Sequence, residues 1–215
     1  MKVFVVGANG QIGKQLVNLL KDSDEHTVRA MVRNEEQVEA FEKLGVETRL
    51  ADLEGSVENI ADAAKGCDAI VFAAGSGSHT GADKTMLIDL DGAAKTIEAA
   101  EEVGIERYIM VSAIRADNRA SWGEGTPSYY MTAKHHADKI LERSSLNYTI
   151  IRPGGLVNEP STGKITVAEN VAVGSIPRED VAKTIFESLS EATTFKRSFD
   201  LVSGETEIAD AVKNL

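Results

Sequence analysis

Short apolar runs alternate with amphipathic segments along most of the chain. Six of these runs predict buried strands, at residues 3–6, 28–32, 46–50, 69–73, 107–111 and 148–151. The segments between them have apolar residues at helical spacing and predict helices at residues 14–20, 35–44, 57–65, 82–103 and 128–143. Gly45, Gly66 and Gly104 follow three of these helices, where a left-handed cap is expected. The alternation predicts a doubly wound α/β fold, a parallel sheet with helices on both faces.

The pattern loosens in the last part of the chain, beyond residue 152. The sequence Pro153-Gly154-Gly155 is expected to break the chain, and residues 165–173 are expected to hold two short strands around a turn. A helix at 178–189, a strand at 199–202 and a helix at 205–212 complete the prediction. This region is too small for an independent domain. We therefore expect one domain over residues 1–215, in which residues 153–215 form the wall of a substrate cleft.

The first apolar run ends in a glycine turn that leads directly into the first helix. In such a turn the first glycine lets the chain leave the strand, the second lets backbone approach a pyrophosphate, and the third lets the helix pack on the sheet. The phosphates would lie at the N-terminus of the helix, where N–H groups and the dipole favour negative charge. The turn predicts a dinucleotide site, and the alternative is a glycine-rich turn that binds nothing. The residues expected there are Gly7, Asn9, Gly10, Gln11, Ile12 and Gly13.

Charge and cysteine content narrow the class of protein. The formal net charge of -11 argues against nucleic acid and anionic membranes as partners. The single cysteine, Cys67, cannot form an internal disulfide and fits a reducing compartment. No apolar run approaches membrane-spanning length, and the chain enters a strand without a visible signal peptide. We therefore expect a cytoplasmic protein, monomeric or homodimeric, whose partner is a small-molecule substrate.

Six short motifs, in order along the chain, resemble those of the short-chain dehydrogenase/reductases. The similarity is to the atypical branch of small epimerase-like and NmrA-like members, and it covers nearly the whole chain. The motifs are the glycine turn, Ala51-Asp52-Leu53, Ala73-Ala74-Gly75, Val111-Ser112-Ala113, Tyr130-x-x-x-Lys134 and Arg152-Pro153-Gly154-Gly155. The resemblance implies a Rossmann fold with a nicotinamide dinucleotide. It places along that cofactor Asp52, Leu53, Ala73, Ala74, Gly75, Lys134 and Pro153.

Arg33, at the end of the second predicted strand, bears on the choice of cofactor. In Rossmann-type sites an acidic residue about twenty positions past the glycine turn holds the ribose 2′-OH, whereas arginine accommodates a 2′-phosphate. The strand ends in Met31-Val32-Arg33-Asn34, with no carboxylate at its tip. This favours NADP over NAD, because the guanidinium fork suits a phosphate. The alternative is a solvated charge paired with Glu35 or Glu36.

Tyr130 and Lys134 are four residues apart and therefore lie on one face of the predicted helix. A phenol in water has a pKa of about 10, and a nearby ammonium favours its phenolate form. In the family that this chain resembles, the tyrosine is the general acid/base, the lysine also holds the nicotinamide ribose, and a serine, here Ser112, binds the substrate oxygen. The alternative for Tyr130 is an aromatic side chain that lines the cleft.

Asp89 departs from the pattern of that family. It lies in the long helix where mainstream members have a catalytic asparagine, and an ionised carboxylate cannot donate a hydrogen bond. Two hypotheses follow. The first is an NADP-dependent oxidoreductase or epimerase-like enzyme that acts on a small carbonyl or alcohol compound by hydride transfer, and the second is a non-catalytic NADP-binding redox sensor.

Several other polar and aromatic residues are expected to lie outside the reaction centre. Arg115, Arg119 and Trp122 lie in a long segment that is expected to be a substrate-binding lid or a surface loop. His79 lies in a loop rich in glycine and serine, where solvation is the simpler interpretation. The neighbouring side chains of His135 and His136 point in different directions on a helix, so no metal site is expected.

Overall fold

The computed structural model describes residues 1–77, 79–122 and 125–215, and its elements alternate as the sequence predicts. The first elements are β1 (Lys2–Val6), α1 (Gln11–Lys21), β2 (Thr27–Val32), α2 (Glu35–Glu42), β3 (Glu47–Leu50), α3 (Val57–Ala64), β4 (Ala69–Phe72), α4 (Ala82–Lys84), a π-helical segment (Thr85–Gly92), α5 (Ala93–Glu102), β5 (Arg107–Val111), α6 (Ser128–Arg143) and β6 (Asn147–Pro153). The remaining elements are β7 (Gly155–Val157), β8 (Lys164–Ala168), β9 (Ser175–Pro177), α7 (Arg178–Ser188), β10 (Arg197–Ser203), β11 (Thr206–Glu207) and α8 (Ile208–Lys213). Two short 3₁₀ turns are Arg119–Ser121 and Ala192–Thr194.

In the described residues, nine strands form one sheet in the order β11-β8-β10-β6-β5-β4-β1-β2-β3. The strands from β10 to β3 pair in parallel, and β8 is antiparallel to both β10 and β11. The chain winds outward from β1 to β3 and then returns to β4 on the other side of β1. The strand order therefore reverses between β1 and β4, where a doubly wound sheet opens a crevice at its carboxyl edge. The predicted fold class is confirmed.

Helices cover both faces of the sheet, so β4 is fully buried and β1 nearly so. On one face α1 packs against α7, and Leu16, Leu20 and Ile185 belong to the core there. On the other face α3 packs against α5, and Ile60 and Ile97 belong to a second core. These two cores hold the parallel strands rigidly, which fixes the positions of the strand ends.

Three helices are followed by glycine in the left-handed conformation, as predicted. Gly45, Gly66 and Gly104 have φ angles of +74°, +79° and +73°. A Cβ at any of the three would meet no atom within 4 Å. The backbone conformation, and not close packing, therefore selects glycine at these positions.

The long helix predicted at residues 82–103 is not a uniform α-helix. Its middle, Thr85–Gly92, adopts the wider π-helical turn between α4 and α5. The side chains of Thr85 and Asp89 are buried there and both contact Ser76, in the loop after β4. The π-helical turn therefore coincides with the residues that contact the loop after β4, and such turns are frequent at functional sites.

The sequence Pro153-Gly154-Gly155 interrupts the chain as predicted. Pro153 is the last residue of β6, Gly154 belongs to no strand, and Gly155 begins β7, which pairs with β9 in a separate sheet. Residues 165–173, by contrast, hold one strand and not two. The second strand comes later, as β9, because Gly155 N–H donates to Gly174 O at 2.9 Å and sets β9 beside β7.

The C-terminal helix begins later than predicted. Thr206 and Glu207 pair with β8 as strand β11, so α8 starts at Ile208. Sheet pairing satisfies their backbone groups and outweighs local helix propensity. Within the described ranges, no helix combines the length and the apolar character needed to cross a membrane.

Arg107, the first residue of β5, is a buried cation that joins several elements. Burial lowers its pKa to about 10, and its guanidinium lies 4.6 Å from the centroid of the Phe195 ring. Its donors cap the last turn of α7 and cross to β6. The acceptors are the carbonyl oxygens of Asn147, Ser188 and Leu189 and the hydroxyls of Thr149 and Thr194.

We expect Arg107→Met to lower the free energy of unfolding by about 3 kcal/mol, because buried acceptors lose their donor. Urea denaturation followed by circular dichroism measures this change. The control is Arg197→Met at the exposed start of β10, which should cost less than about 0.5 kcal/mol. A similar decrease in the free energy of unfolding of both variants would contradict the idea that the buried hydrogen bonds of Arg107 stabilise the fold.

Candidate active site

The glycine turn after β1 lies directly against the end of β4. Gly7 has a φ angle of +85°, and a Cβ there would come within 2.6 Å of Ala74 N and 2.7 Å of Ala73 C. A Cβ on Gly13 would overlap the carbonyl oxygen of Gly7, and one on Gly10 would lie 3.1 Å from the same oxygen. Side chains at the first and third glycines would therefore displace backbone, and the turn keeps the tight shape that a pyrophosphate requires.

Helix α1 begins immediately after this turn. Gly10 is its N-cap and has no side chain to accept hydrogen bonds from the N–H groups of the first turn. Asn9 and Gln11 are exposed at the same place, whereas Ile12 is buried and anchors the helix in the core. The glycine cradle and the uncapped helix start together fit the phosphates of a dinucleotide.

The other residues predicted at the cofactor lie on strand ends at this edge of the sheet. Ala73 and Ala74 are half-buried beside Gly7. Leu53 is buried, and a Cβ on Gly92 would lie 3.1 Å from its Cβ. This close approach joins the end of β3 to the π-helical segment. The rest of this set consists of the exposed Asp52 and Gly75 and the buried Pro153.

Arg33 is exposed at the end of β2, the strand next to β1. Its backbone N–H donates to Gln37 Oε1 at 2.9 Å, and Asn34 caps helix α2. Among the described side chains, no ion pair within 4.0 Å joins Arg33 to Glu35 or Glu36. Arg33 thus lies on the strand next to the glycine turn, with its side chain exposed.

Lys134 of α6 is a buried cation near the end of β5. Its side chain is 5% exposed, and Nζ lies 3.0 Å from Asp89 Oδ1 and 3.4 Å from the accepting Val111 O. The same nitrogen lies 5.7 Å from the centroid of the Tyr130 ring. Burial by itself lowers the pKa of Lys134, but the facing Tyr130 oxygen and Asp89 carboxylate reverse this and raise it. The ammonium is thus held charged beside the phenol.

Asp89 takes part in two interactions from the π-helical segment. While Oδ1 pairs with Lys134, Oδ2 accepts the backbone N–H of Ser76 at 3.0 Å. A Cβ on Gly75 would lie 3.2 Å from Oδ1, so the loop after β4 runs close to the carboxylate. Asp89 therefore links the lysine to this loop. Its geometry is that of a counter-ion, which differs from the amide of a catalytic asparagine.

A second buried ion pair lies one helical turn further along α6, at Asp138. The Nε of Arg152 donates to Asp138 Oδ2 at 2.9 Å, and its Nη1 lies 3.0 Å from Asp117 Oδ2. Burial raises the pKa of Asp138 to about 6, although Arg152 and the Ser112 hydroxyl act in the opposite direction. Asp138 was not among the predicted site residues, although its spacing of four from Lys134 places it on the same face of the helix.

Ser112 follows β5 and is 4% exposed. Its backbone N–H donates to Ile151 O at 2.8 Å, which continues the ladder between β5 and β6. Its hydroxyl oxygen has no hydrogen-bond partner among the described residues, and neither has Asp138 Oδ1. Ser112 therefore lies at the boundary between the sheet and α6, with its hydroxyl oxygen buried.

The segment after β5 packs on α6. Arg115 has a φ angle of +60°, and its carbonyl accepts from Trp122 Nε1 at 3.3 Å. The Trp122 and His135 rings meet edge to face at 5.4 Å, and His135 Nδ1 lies 2.8 Å from Ala116 O. Residues 123–124 of the predicted lid lie outside the described residues, so the lid stays a prediction.

The histidine side chains near the site were also compared with the requirements of a metal site. The rings of His135 and His136 are 5.3 Å apart and nearly perpendicular. In the part of the chain that the structure describes, no three His, Cys, Asp or Glu side chains form a group that could hold a metal ion. His79 lies beside Gly77 in the loop after β4, of which Ser78 lies outside the described residues.

Comparison with known proteins gives one family and close relatives. A family model described as NAD(P)H-binding matches residues 7–192. The Bacillus subtilis (strain 168) protein named uncharacterized sugar epimerase YhfK is 60% identical over 215 residues, which is 100% of both chains. A solved structure of a putative NAD-dependent epimerase/dehydratase from Bacillus halodurans is 46% identical with a TM-score of 0.92, covering 100% of both chains. That of the oxidoreductase ylbE from Lactococcus lactis is 32% identical with a TM-score of 0.89, covering 100% of this chain and 96% of that one.

We expect Asp89→Asn to lower the free energy of unfolding by about 3 kcal/mol, because the buried Lys134 ammonium loses its carboxylate partner. Urea denaturation provides the measurement. The matched control is Asp91→Asn, which removes the exposed partner of Lys95 on the same helix and should cost about 0.5 kcal/mol or less. Comparable losses would show that burial adds nothing to the Asp89 pair.

Proposed function

Because the chain belongs to the NAD(P)H-binding family, we propose that it is an NADP-dependent oxidoreductase or epimerase-like enzyme for a small carbonyl or alcohol compound. The observation that carries this proposal is the buried Lys134, which faces the Tyr130 ring at 5.7 Å and is held charged by Asp89 at 3.0 Å. A buried cation is costly unless it is paired, and such groups concentrate at functional sites. We further propose a cytoplasmic location and a monomeric or homodimeric state.

Each part of the site would have its own role in this reaction. The glycine turn and the start of α1 would hold the pyrophosphate, and NADP would supply the hydride acceptor or, when reduced, the hydride donor. Tyr130 would exchange a proton with the substrate oxygen, since it is the half-buried phenol beside the ammonium. Lys134 would place its ammonium beside that tyrosine, 5.7 Å from the centroid of its ring. Ser112 would meet the same substrate oxygen from the end of β5.

NADP is the proposed form of the cofactor because Arg33 is exposed at the end of β2 and is not paired with the glutamates that follow it. A guanidinium there can bind the 2′-phosphate with two parallel hydrogen bonds. The carboxylate that would hold a ribose 2′-OH is missing from the tip of the strand. The chemistry of the strand end therefore favours the phosphorylated dinucleotide.

A second candidate, a non-catalytic NADP-binding sensor, is favoured by one observation. The carboxylate of Asp89 offsets the positive charge of Lys134, which would otherwise be directed at Tyr130 without a counter-ion. An ionised carboxylate also cannot donate in a proton relay built for an amide. A site of this kind could bind the dinucleotide without turning over a substrate.

Calorimetric titration with NADP, NADPH, NAD and NADH, followed by a screen of carbonyl compounds with NADPH, separates these candidates. NADP(H) binding together with turnover supports the enzyme. Strong preference for one redox state of the dinucleotide, without turnover in the screen, supports the sensor. A chain that binds none of the four dinucleotides would refute both proposals.

We expect Arg33→Ala to weaken NADP binding by roughly 10- to 100-fold, because a charge-assisted contact of about 1.5–3 kcal/mol is lost. NAD binding should change by less than roughly twofold. The control is Arg49→Ala on the neighbouring strand β3, where the guanidinium pairs with Glu47 at 3.2 Å. Calorimetry of both variants with both dinucleotides tests the assignment, and equal losses of NADP and NAD affinity for Arg33→Ala would defeat it.

We expect Tyr130→Phe to lower kcat by roughly 10²–10⁴-fold on any carbonyl compound found in the screen, because the proton donor is lost. NADPH affinity should stay within about twofold of the unmodified protein. The neighbouring Tyr129, which is 42% exposed, provides the matched control, and Tyr129→Phe should keep its activity. Turnover that survives in Tyr130→Phe would assign the acid/base role elsewhere.

A further inference from the structure

The guanidinium of Arg152 joins three parts of the structure beside the proposed reaction centre. Arg152 belongs to β6, and its side chain is 2% exposed. Its Nε donates to Asp138 Oδ2 at 2.9 Å, and its Nη2 donates to Glu142 Oε1 at 3.5 Å, both on α6. Its Nη1 lies 3.0 Å from Asp117 Oδ2, in the segment after β5. Because a guanidinium is planar and rigid, these contacts fix the segment and the helix relative to each other.

The segment that contains Asp117 begins at Ser112 and packs on α6, the helix of Tyr130. It turns at Arg115, whose φ angle of +60° is unfavourable for a residue with a side chain. A conformation of this kind persists only where the surrounding contacts hold it in place. The shape of the segment therefore depends on what anchors it on either side of the turn.

Two hydrogen bonds and one ion pair anchor the segment around this turn. Before it, the N–H of Ile114 donates to Pro153 O at 2.9 Å. After it, the carbonyl oxygen of Ala116 lies 2.8 Å from His135 Nδ1 on α6. The ion pair of Asp117 follows at once and adds a charged contact. Charged hydrogen bonds are stronger than neutral ones, so Asp117 contributes much of the anchor beyond the turn.

We propose that Asp117 is a positioning residue that, through Arg152, keeps Ser112 and Tyr130 aligned on one substrate oxygen. When hydride reaches a carbonyl carbon, negative charge develops on that oxygen, and both hydroxyls must be directed at it. The serine begins the anchored segment, and the tyrosine lies on the helix to which the segment is tied. A looser tie would weaken these contacts more in the transition state than in the bound substrate. This inference rests on the proposed function, in which both residues meet the substrate oxygen.

Asp117 can be replaced without leaving a buried charge unpaired. Its side chain is 34% exposed, and Arg152 keeps Asp138 and Glu142 as partners when Asp117 is removed. Asp117→Ala removes the anchor, whereas Asp117→Asn keeps an oxygen that can accept from Arg152. Comparison of the two variants therefore separates the position of the segment from the charge that holds it.

The experiment measures steady-state kinetics with NADPH and a carbonyl compound found in the screen. We expect Asp117→Ala to lower kcat by roughly 10- to 100-fold, because small misplacements of reacting groups slow the chemical step. The KM for the carbonyl compound should change by less than about threefold, since ground-state binding is affected less. Asp117→Asn should keep kcat within about fivefold of the unmodified protein. A residue that only stabilises the fold would not produce this difference between kcat and KM.

Trp122, the single tryptophan of the chain, reports on the segment without any substrate. Its Nε1 donates to Arg115 O at 3.3 Å, beside the turn that Asp117 anchors. We expect the emission of Trp122 to shift to longer wavelength in Asp117→Ala, because a looser segment exposes the indole to water.

Asp22→Ala is the matched control, since it removes an exposed carboxylate that pairs with Lys21 at 3.2 Å at the end of α1. It should leave both kcat and the emission of Trp122 unchanged. An unchanged kcat in Asp117→Ala would overturn the inference even if the emission shifts, and an unchanged emission would overturn it too, because the segment would not depend on the ion pair. An unmodified protein that turns over no compound in the screen would instead refute the proposed enzyme, and the inference with it.

Discussion

The ion pair between Lys134 and Asp89 is the interaction on which the arrangement of the site depends. Both side chains are almost fully buried, and their nitrogen and oxygen atoms lie 3.0 Å apart. The pair joins α6 to the π-helical segment, and through Ser76 it also holds the loop after β4. Removing two charges from water is expensive, so each group can remain here only while the other is present. The pair therefore fixes both the helix and the loop at the mouth of the crevice.

The two buried ion pairs of α6 connect the helix to different parts of the structure. Lys134 lies 5.7 Å from the centroid of the Tyr130 ring and pairs with Asp89, which accepts a hydrogen bond from the loop after β4. Asp138 faces Arg152, which is 2% exposed and lies between Asp138 and Asp117. Arg152 supplies the charge that allows the Asp138 carboxylate to stay buried. This pair thus connects α6 to β6.

The glycine turn imposes a different constraint, one of space. Gly7 and Gly13 are positions where an added Cβ would displace backbone, and the contact at Gly7 is with Ala73 and Ala74 at the end of β4. This close approach brings β1 and β4 together at the point where the strand order reverses. The proposed phosphate cradle and the proposed reaction centre consequently share one crevice, bordered by the ends of β1, β4 and β5.

The chain itself determined the fold class and the location of the crevice. Apolar runs and helical periodicity are visible within short stretches of sequence, and so is the spacing of glycines that a tight turn requires. Tyr130 and Lys134 could be paired because they share a helix face, whereas Ser112 was singled out by the family resemblance. Local patterns could not predict the π-helical turn of Thr85–Gly92, the late start of α8 or the place of β9, because contacts distant in sequence decide these. Tertiary structure alone decided that Asp89 pairs with Lys134 and that Asp138 pairs with Arg152, since burial requires these charges to have partners.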